Sequence, residues 1–145
     1  MLLVGRYGSP VLHLTAELRD QMLAHAYRGL PLEACGLFAG DADGTVHRFY
    51  PTDNEAHSSK LYTVPARDFL RSERDAEDRG WQLLGVMHSH THTDAYPSPT
   101  DVAQAPDPEW HYVIVSLRDD QPSLRSYRIV GGEITEERVA VGSQR

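Results

Sequence analysis

Trp81-Gln82-Leu83-Leu84-Gly85-Val86-Met87 runs directly into His88-Ser89-His90, and this junction organises the rest of the chain. Trp81 to Met87 is apolar enough to read as a central strand, covered on both faces. From Ser89 to Asp101 the chain is rich in Thr, Ser, Pro and Asp and reads as an irregular loop. The expectation is a buried strand whose C-terminal end opens into a polar loop carrying histidines.

Upstream of that strand, Val11-Leu12-His13-Leu14 is a short strand candidate. Thr15 is an N-cap for a first helix, with Glu17 in the first turn where a helix favours negative charge. Leu18, Met22 and Ala26 fall four apart on one face, and Leu23 and Tyr27 widen the stripe. Gly29 and Pro31 stop the helix. Ala34 to Ala39 is a small, apolar run suited to a buried strand, and Asp41-Ala42-Asp43-Gly44 turns the chain into another strand, Thr45 to Tyr50. Pro51 to Lys60 reads as a loop. Pro65 to Arg79 reads as a second helix with Phe69, Leu70 and Ala76 on its apolar face and Gly80 beyond its end.

Downstream, Trp110 to Ser116, Leu124 to Val130 and Glu133 to Val141 are strands, separated by turns at Asp119-Asp120-Gln121-Pro122 and Gly131-Gly132. The fold class expected is mixed α/β: a largely antiparallel sheet flanked by two long helices. With no internal repeat, low-complexity tract or long linker, residues 1–145 read as a single domain.

Bulk properties exclude more than they assign. A net charge of −7 argues against nucleic acid as the main partner, because a phosphate backbone is met by clustered cations. No stretch is long and apolar enough to span a bilayer, and Met1 to Arg6 lacks the pattern of a signal peptide. One cysteine, Cys35, rules out an internal disulfide framework and reads as a small buried hydrophobe. These features fit a cytoplasmic setting without a membrane partner.

The chemistry-bearing residues cluster around the central junction. On an extended segment His88 and His90 point to the same side, so both can reach one ion. A catalytic zinc takes three protein ligands and keeps a position for water, which it acidifies towards neutral pH. Asp101 can supply the third ligand from the far end of the loop. Ser98-Pro99-Thr100-Asp101 is also a helix-capping pattern, and a short helix there would fix Asp101 relative to the histidines. His92 competes with Asp101 if the strand continues that far, and Asp94 competes for the carboxylate role. Glu33 reads either as a solvated loop residue or as the carboxylate that takes a proton from the metal's water. Ser98 can also donate a hydrogen bond to the oxyanion of a tetrahedral intermediate.

The segment His88-Ser89-His90-Thr91-His92-Thr93-Asp94-Ala95-Tyr96-Pro97-Ser98-Pro99-Thr100-Asp101 resembles the motif of the JAMM (MPN+) metalloprotease family. That motif is a Glu, then His-x-His, seven residues, Ser, two residues and Asp. Pro31-Leu32-Glu33-Ala34-Cys35-Gly36 resembles the family's Glu-bearing strand entrance, and Asn54 and Ser58 fall where small prokaryotic members carry Asn and Ser. The resemblance spans nearly the whole chain. It implies the cytidine-deaminase-like MPN/JAMM architecture, Zn2+ on His88, His90 and Asp101, Glu33 as general base and Ser98 as oxyanion donor.

Many members carry Pro after the second His, where this chain has Thr91. That departure, together with Leu124-Arg125-Ser126-Tyr127-Arg128-Ile129-Val130, is similar to the actinobacterial Mec+ branch. The likeness implies hydrolysis of the amide between a ubiquitin-like sulfur-carrier protein's C-terminal glycine and cysteine, a step of cysteine biosynthesis. The alternatives are a JAMM peptidase that trims a carrier precursor or cuts another amide, and a non-catalytic MPN interaction module.

Overall fold

The computed structural model describes residues 11–105 and 107–142 of the chain. Strand β1 (Val11–Thr15) passes directly into helix α1 (Ala16–Gly29), with the Thr15 hydroxyl oxygen accepting from the amide of Leu18 at 3.1 Å. Leu18, Met22 and Ala26 are the buried face of α1, as their spacing requires. Tyr27 lies outside that stripe and is exposed, so the apolar face is narrower than the sequence suggests.

Strands β2 (Cys35–Gly40) and β3 (Val46–Thr52) form an antiparallel pair, followed after a loop by helix α2 (Ala66–Asp78). The inner face of α2 is Phe69, Ser72 and Ala76, while Leu70 is exposed. Residues 69, 72 and 76 share one helical face, and Leu70 is turned about 100° from Phe69. Strand β4 (Gln82–His90), the short helix α3 (Pro99–Ala103) and strands β5 (His111–Ser116), β6 (Ser123–Val130) and β7 (Glu133–Gly142) complete the order. Gly131 and Gly132 both have positive φ, 58° and 83°, as the tight β6–β7 hairpin needs.

All seven strands join in the order β1-β7-β6-β5-β4-β2-β3. The sheet is antiparallel except at β1–β7 and β4–β5, which are parallel. This is the mixed, largely antiparallel α/β fold that the sequence predicts. On one face, Leu18, Met22 and Ala26 of α1 pack with Phe38, Met87, Val113 and Val115. On the other, Cys35, Leu37, Val86 and Tyr112 pack with Tyr62 and, from α2, Phe69.

One boundary differs from the sequence reading in a way that matters. β4 continues through His88-Ser89-His90 instead of ending at Met87. His88 is registered with Cys35 of β2 on one side and Ile114 of β5 on the other, and His90 pairs with Ser116. The polar identity of these residues suggests a loop, but a neighbouring strand on each side supplies their backbone partners. Among the described residues, no helix is long and apolar enough to cross a membrane.

Candidate active site

The alternation of β4 splits its last three residues between two faces. His88 and His90 project to one side, both buried, and Ser89 goes to the other. There the Ser89 hydroxyl oxygen accepts from the amide of Ala34 at 2.8 Å, and the Ser89 amide donates to the Ala34 carbonyl at 2.9 Å. This two-way clasp ties the segment carrying Glu33 to the strand carrying the histidines. Glu33 is further held by its amide, which donates to the Ser58 carbonyl at 2.8 Å, and by its carbonyl, which accepts from Asn54 Nδ2 at 3.0 Å.

Asp101 reaches the histidines from α3. The Ser98 hydroxyl accepts from the Asp101 amide at 3.0 Å, and the Ser98 amide donates to Asp101 Oδ2 at 2.9 Å, a complete capping box. Capping and convergence therefore coexist in the same two residues. The loop between is irregular but pinned: the hydroxyls of Ser116 and Tyr127 donate to the carbonyls of Thr93 and Ala95.

The result is a triangle of ligand-type atoms. Asp101 Oδ2 lies 3.0 Å from His90 Nε2 and 3.2 Å from His88 Nε2, and the two Nε2 atoms are 3.2 Å apart. Tetrahedral ligands on ~2.0–2.1 Å bonds stand about 3.4 Å apart, so the triangle is the right size for a metal ion. Proton placement points the same way. His90 Nδ1 is 2.6 Å from the carbonyl oxygen of Asp94, which can only accept, so Nδ1 carries the hydrogen. In the neutral ring Nε2 is then a bare lone pair aimed at a carboxylate oxygen and a second imidazole nitrogen. A hydrogen on Nε2 of the rings relieves that arrangement in the metal-free chain, and a metal ion in their midst would take that hydrogen's place. Among the described residues, His88, His90 and Asp101 are the group that could hold a metal ion.

The electrostatics divide the site. Burial alone would raise the Asp101 carboxyl, but hydrogen bonds from both histidines and the Ser98 amide hold it well below the usual carboxylate range. Burial lowers His88, and the Asp101 carboxylate only partly offsets this. Burial also acts against protonated His90, yet Asp101 and the Asp94 carbonyl outweigh it and raise the ring. Glu33 goes the opposite way from Asp101. Burial pushes its carboxyl up to about 7, with His90 pulling it down and Asp101 pushing it further up. Its Oε1 is buried without a hydrogen-bond partner among the described residues.

The rival residues fall elsewhere. His92 and the Asp94 side chain are exposed, and Asp94 pairs with Arg118 at 2.9 Å. What Asp94 contributes to the triangle is its backbone carbonyl. Cys35 is fully buried, with burial raising its thiol to about 11, far from a usable thiolate. Tyr62 is a neighbour of the triad that lies outside the motif. It stacks on His88 with ring centroids 4.3 Å apart and planes 18° apart. Its only local signal is an aromatic residue at the end of a polar loop. Asn54 also does more than its loop position suggests, bridging the carbonyls of Glu33 and Leu61 through Nδ2.

A profile of prokaryotic homologs of the JAB domain matches residues 15–130. The chain belongs to the JAMM/MPN+ family. A CysO-cysteine peptidase from Mycobacterium tuberculosis is 44% identical to this JAMM domain over 136 residues, covering 92% of this chain and 93% of that one. A desampylase from Haloferax volcanii is 33% identical over 136 residues, covering 90% and 96%. A solution structure of a Desulfitobacterium hafniense protein superposes with a TM-score of 0.85 at 36% identity, covering 92% of this chain and 94% of the other. This JAMM domain is accordingly a hydrolase of the peptidase class.

Proposed function

We propose that this JAMM domain is a zinc-dependent cytoplasmic hydrolase. Its substrate is the amide between the C-terminal glycine of a ubiquitin-like sulfur-carrier protein and cysteine, and it releases free cysteine for biosynthesis. The observation that carries the metal assignment is the Asp94 carbonyl at Nδ1 of His90, which turns Nε2 towards Asp101 and His88 as a lone pair. In this reading His88, His90 and Asp101 are the ligands. Held by these three side chains, a zinc ion would supply acidification of a water and polarisation of the scissile carbonyl.

The chain's own residues do the rest. Glu33, with its carboxyl raised to about 7, takes a proton from the water and hands it to the leaving amine. Ser98 spends its oxygen on the Asp101 amide, which leaves the hydroxyl hydrogen available to an oxyanion. The carrier's extended tail lies beside an exposed strand, held by main-chain hydrogen bonds. Glycines at its end let the backbone approach closely.

The choice of substrate is supported by the 44% identity to a CysO-cysteine peptidase across nearly all of both chains. The 33% identity to a desampylase favours, as a second reading, a wider range of carrier-linked amides or trimming of a carrier precursor. Incubation with a carrier–cysteine adduct and with a C-terminally extended carrier, followed by mass measurement, separates the two. Release of cysteine with the extended carrier left intact is the expected result. Processing of the extended carrier alone would sink the cysteine assignment.

A further inference from the structure

Proton delivery constrains where the leaving group lies: its nitrogen must come within about 3 Å of the base, or one water away. Glu33 lines a cavity of 390 Å³ whose other walls include His25 and Arg28 of α1, Asp53, Asn54 and His57. Small-molecule sites begin at roughly 300 Å³, so the space accommodates a single amino acid. Two of the polar side chains around it, His25 and Asn54, are already engaged. His25 Nε2 faces the carbonyls of Cys35 at 2.8 Å and Thr52 at 3.2 Å. Asn54 is saturated: Nδ2 reaches the carbonyls of Glu33 and Leu61, and Oδ1 accepts from the amides of Ala56 and Thr63.

Arg28 is different. It stands in the last turn of α1, exposed, and forms no ion pair with any described residue, Asp53 included. A guanidinium without a carboxylate, on a cavity whose wall includes the candidate base, is complementary to one feature of the proposed leaving group. A released amino acid carries a free α-carboxylate beside the amine that Glu33 must protonate. A lysine side chain leaving from an isopeptide carries none there.

We propose that Arg28 is a specificity-determining residue, its guanidinium receiving the α-carboxylate of the leaving amino acid while the adjoining amine faces Glu33. This rests on the hydrolase reading above and narrows it to adducts of free amino acids rather than isopeptides. Arginine suits the task because its planar fork meets a carboxylate with two parallel hydrogen bonds.

The test compares kcat/KM of the metal-loaded, full-length chain on two adducts of one carrier, with cysteine and with cysteinamide. The native chain should prefer the cysteine adduct by roughly tenfold to a hundredfold, the scale of a charge-assisted hydrogen-bond pair. In Arg28→Gln that preference should collapse towards one, chiefly through KM, and Arg28→Lys should restore part of it. A native chain indifferent to the carboxylate would overturn the proposal and leave the hydrolase reading standing. So would an Arg28→Gln variant that loses both activities in parallel and keeps its preference. Failure of the native chain to cut either adduct, with a lysine isopeptide cut instead, would remove both the proposal and the cysteine assignment.

Discussion

Two buried histidine–carboxylate clusters lie on opposite faces of the β4–β5 pair, and they are built to different rules. In one, His88 and His90 converge on Asp101. In the other, His111 Nδ1 and the Ser126 hydroxyl both meet Glu137 Oε2, at 2.6 and 2.5 Å. His111 pairs with Gly85 three residues before His88 on β4, which is about 10 Å along the strand and on the other face. At Glu137 each short contact to Oε2 has one hydrogen and one acceptor, while Oε1 is buried without a partner among the described residues. At Asp101 the Nδ1 hydrogen of His90 is taken by the Asp94 carbonyl, so in the neutral ring Nε2 meets the carboxylate as a lone pair. The same residue types give a structural tie in one place and a candidate cation site in the other. The difference lies in a single backbone carbonyl.

The sharpest way to break this contrast is Asp101→Ala. It should empty the triangle of metal and abolish amide hydrolysis, read as metal content per chain and turnover on the carrier–cysteine adduct. Metal retained at one equivalent would refute the ligand assignment.

Glu33→Gln should come next, lowering kcat by about 10²–10⁴-fold with metal still bound. The same variant carries a pH signature. Glu33 has a raised carboxyl, about 7 against 4.5, so the folded metal-free chain is penalised above pH 7 by a buried charge. That penalty is relieved as pH falls from about 7 towards 4.5. The Gln variant should therefore be more stable than the native metal-free chain at pH 8, by roughly 1–3 kcal/mol, and equal to it near pH 4. For activity the sign reverses: the base must be ionised, so native kcat/KM should decline on the acid side. A bound cation would move that limb below 7.

A smaller effect is expected at Tyr62. Tyr62→Ala should loosen His88 and weaken metal binding about tenfold, while Tyr62→Phe, which keeps the stack, should not. Competition with a chelator would measure both. The least effect on the site should come from Glu137→Ala. It strands His111 and Ser126 and should cost about 3 kcal/mol of stability, yet the folded fraction should keep its metal and its turnover. Loss of metal from that variant would erase the distinction between the two clusters.

Much of this was readable along the chain because the determinants are local. Strand alternation puts His88 and His90 on one side, and a capping box within four residues holds Asp101. The apolar stripe of α1 follows from a spacing of four. What stayed hidden depends on partners distant in sequence. The extension of β4 to His90 comes from β2 and β5, whose pairing leaves no mark on the polar residues themselves. Spacing alone leaves Asp101, His92 and Asp94 as alternatives; the family motif implies Asp101, and in the structure the side chains of the other two are exposed. Tyr62 meets His88 across 26 positions, as His111 meets Glu137. Glu33 looks like any loop acid until the Ser89 clasp and the Asn54 bridge place it in a buried setting.

The clasp between Ser89 and Ala34 also limits how this chain can vary. Because the serine sits between the two histidines and grips the residue next to Glu33, one residue inserted or deleted at the entrance of β2 would break both bonds at once. It would also displace Glu33 from its place beside the histidines. Glu33 and the histidines therefore share one frame of register. Length changes can accumulate in the loop beyond Asn54 or in the β5–β6 turn, but not on the short path from Glu33 to Cys35.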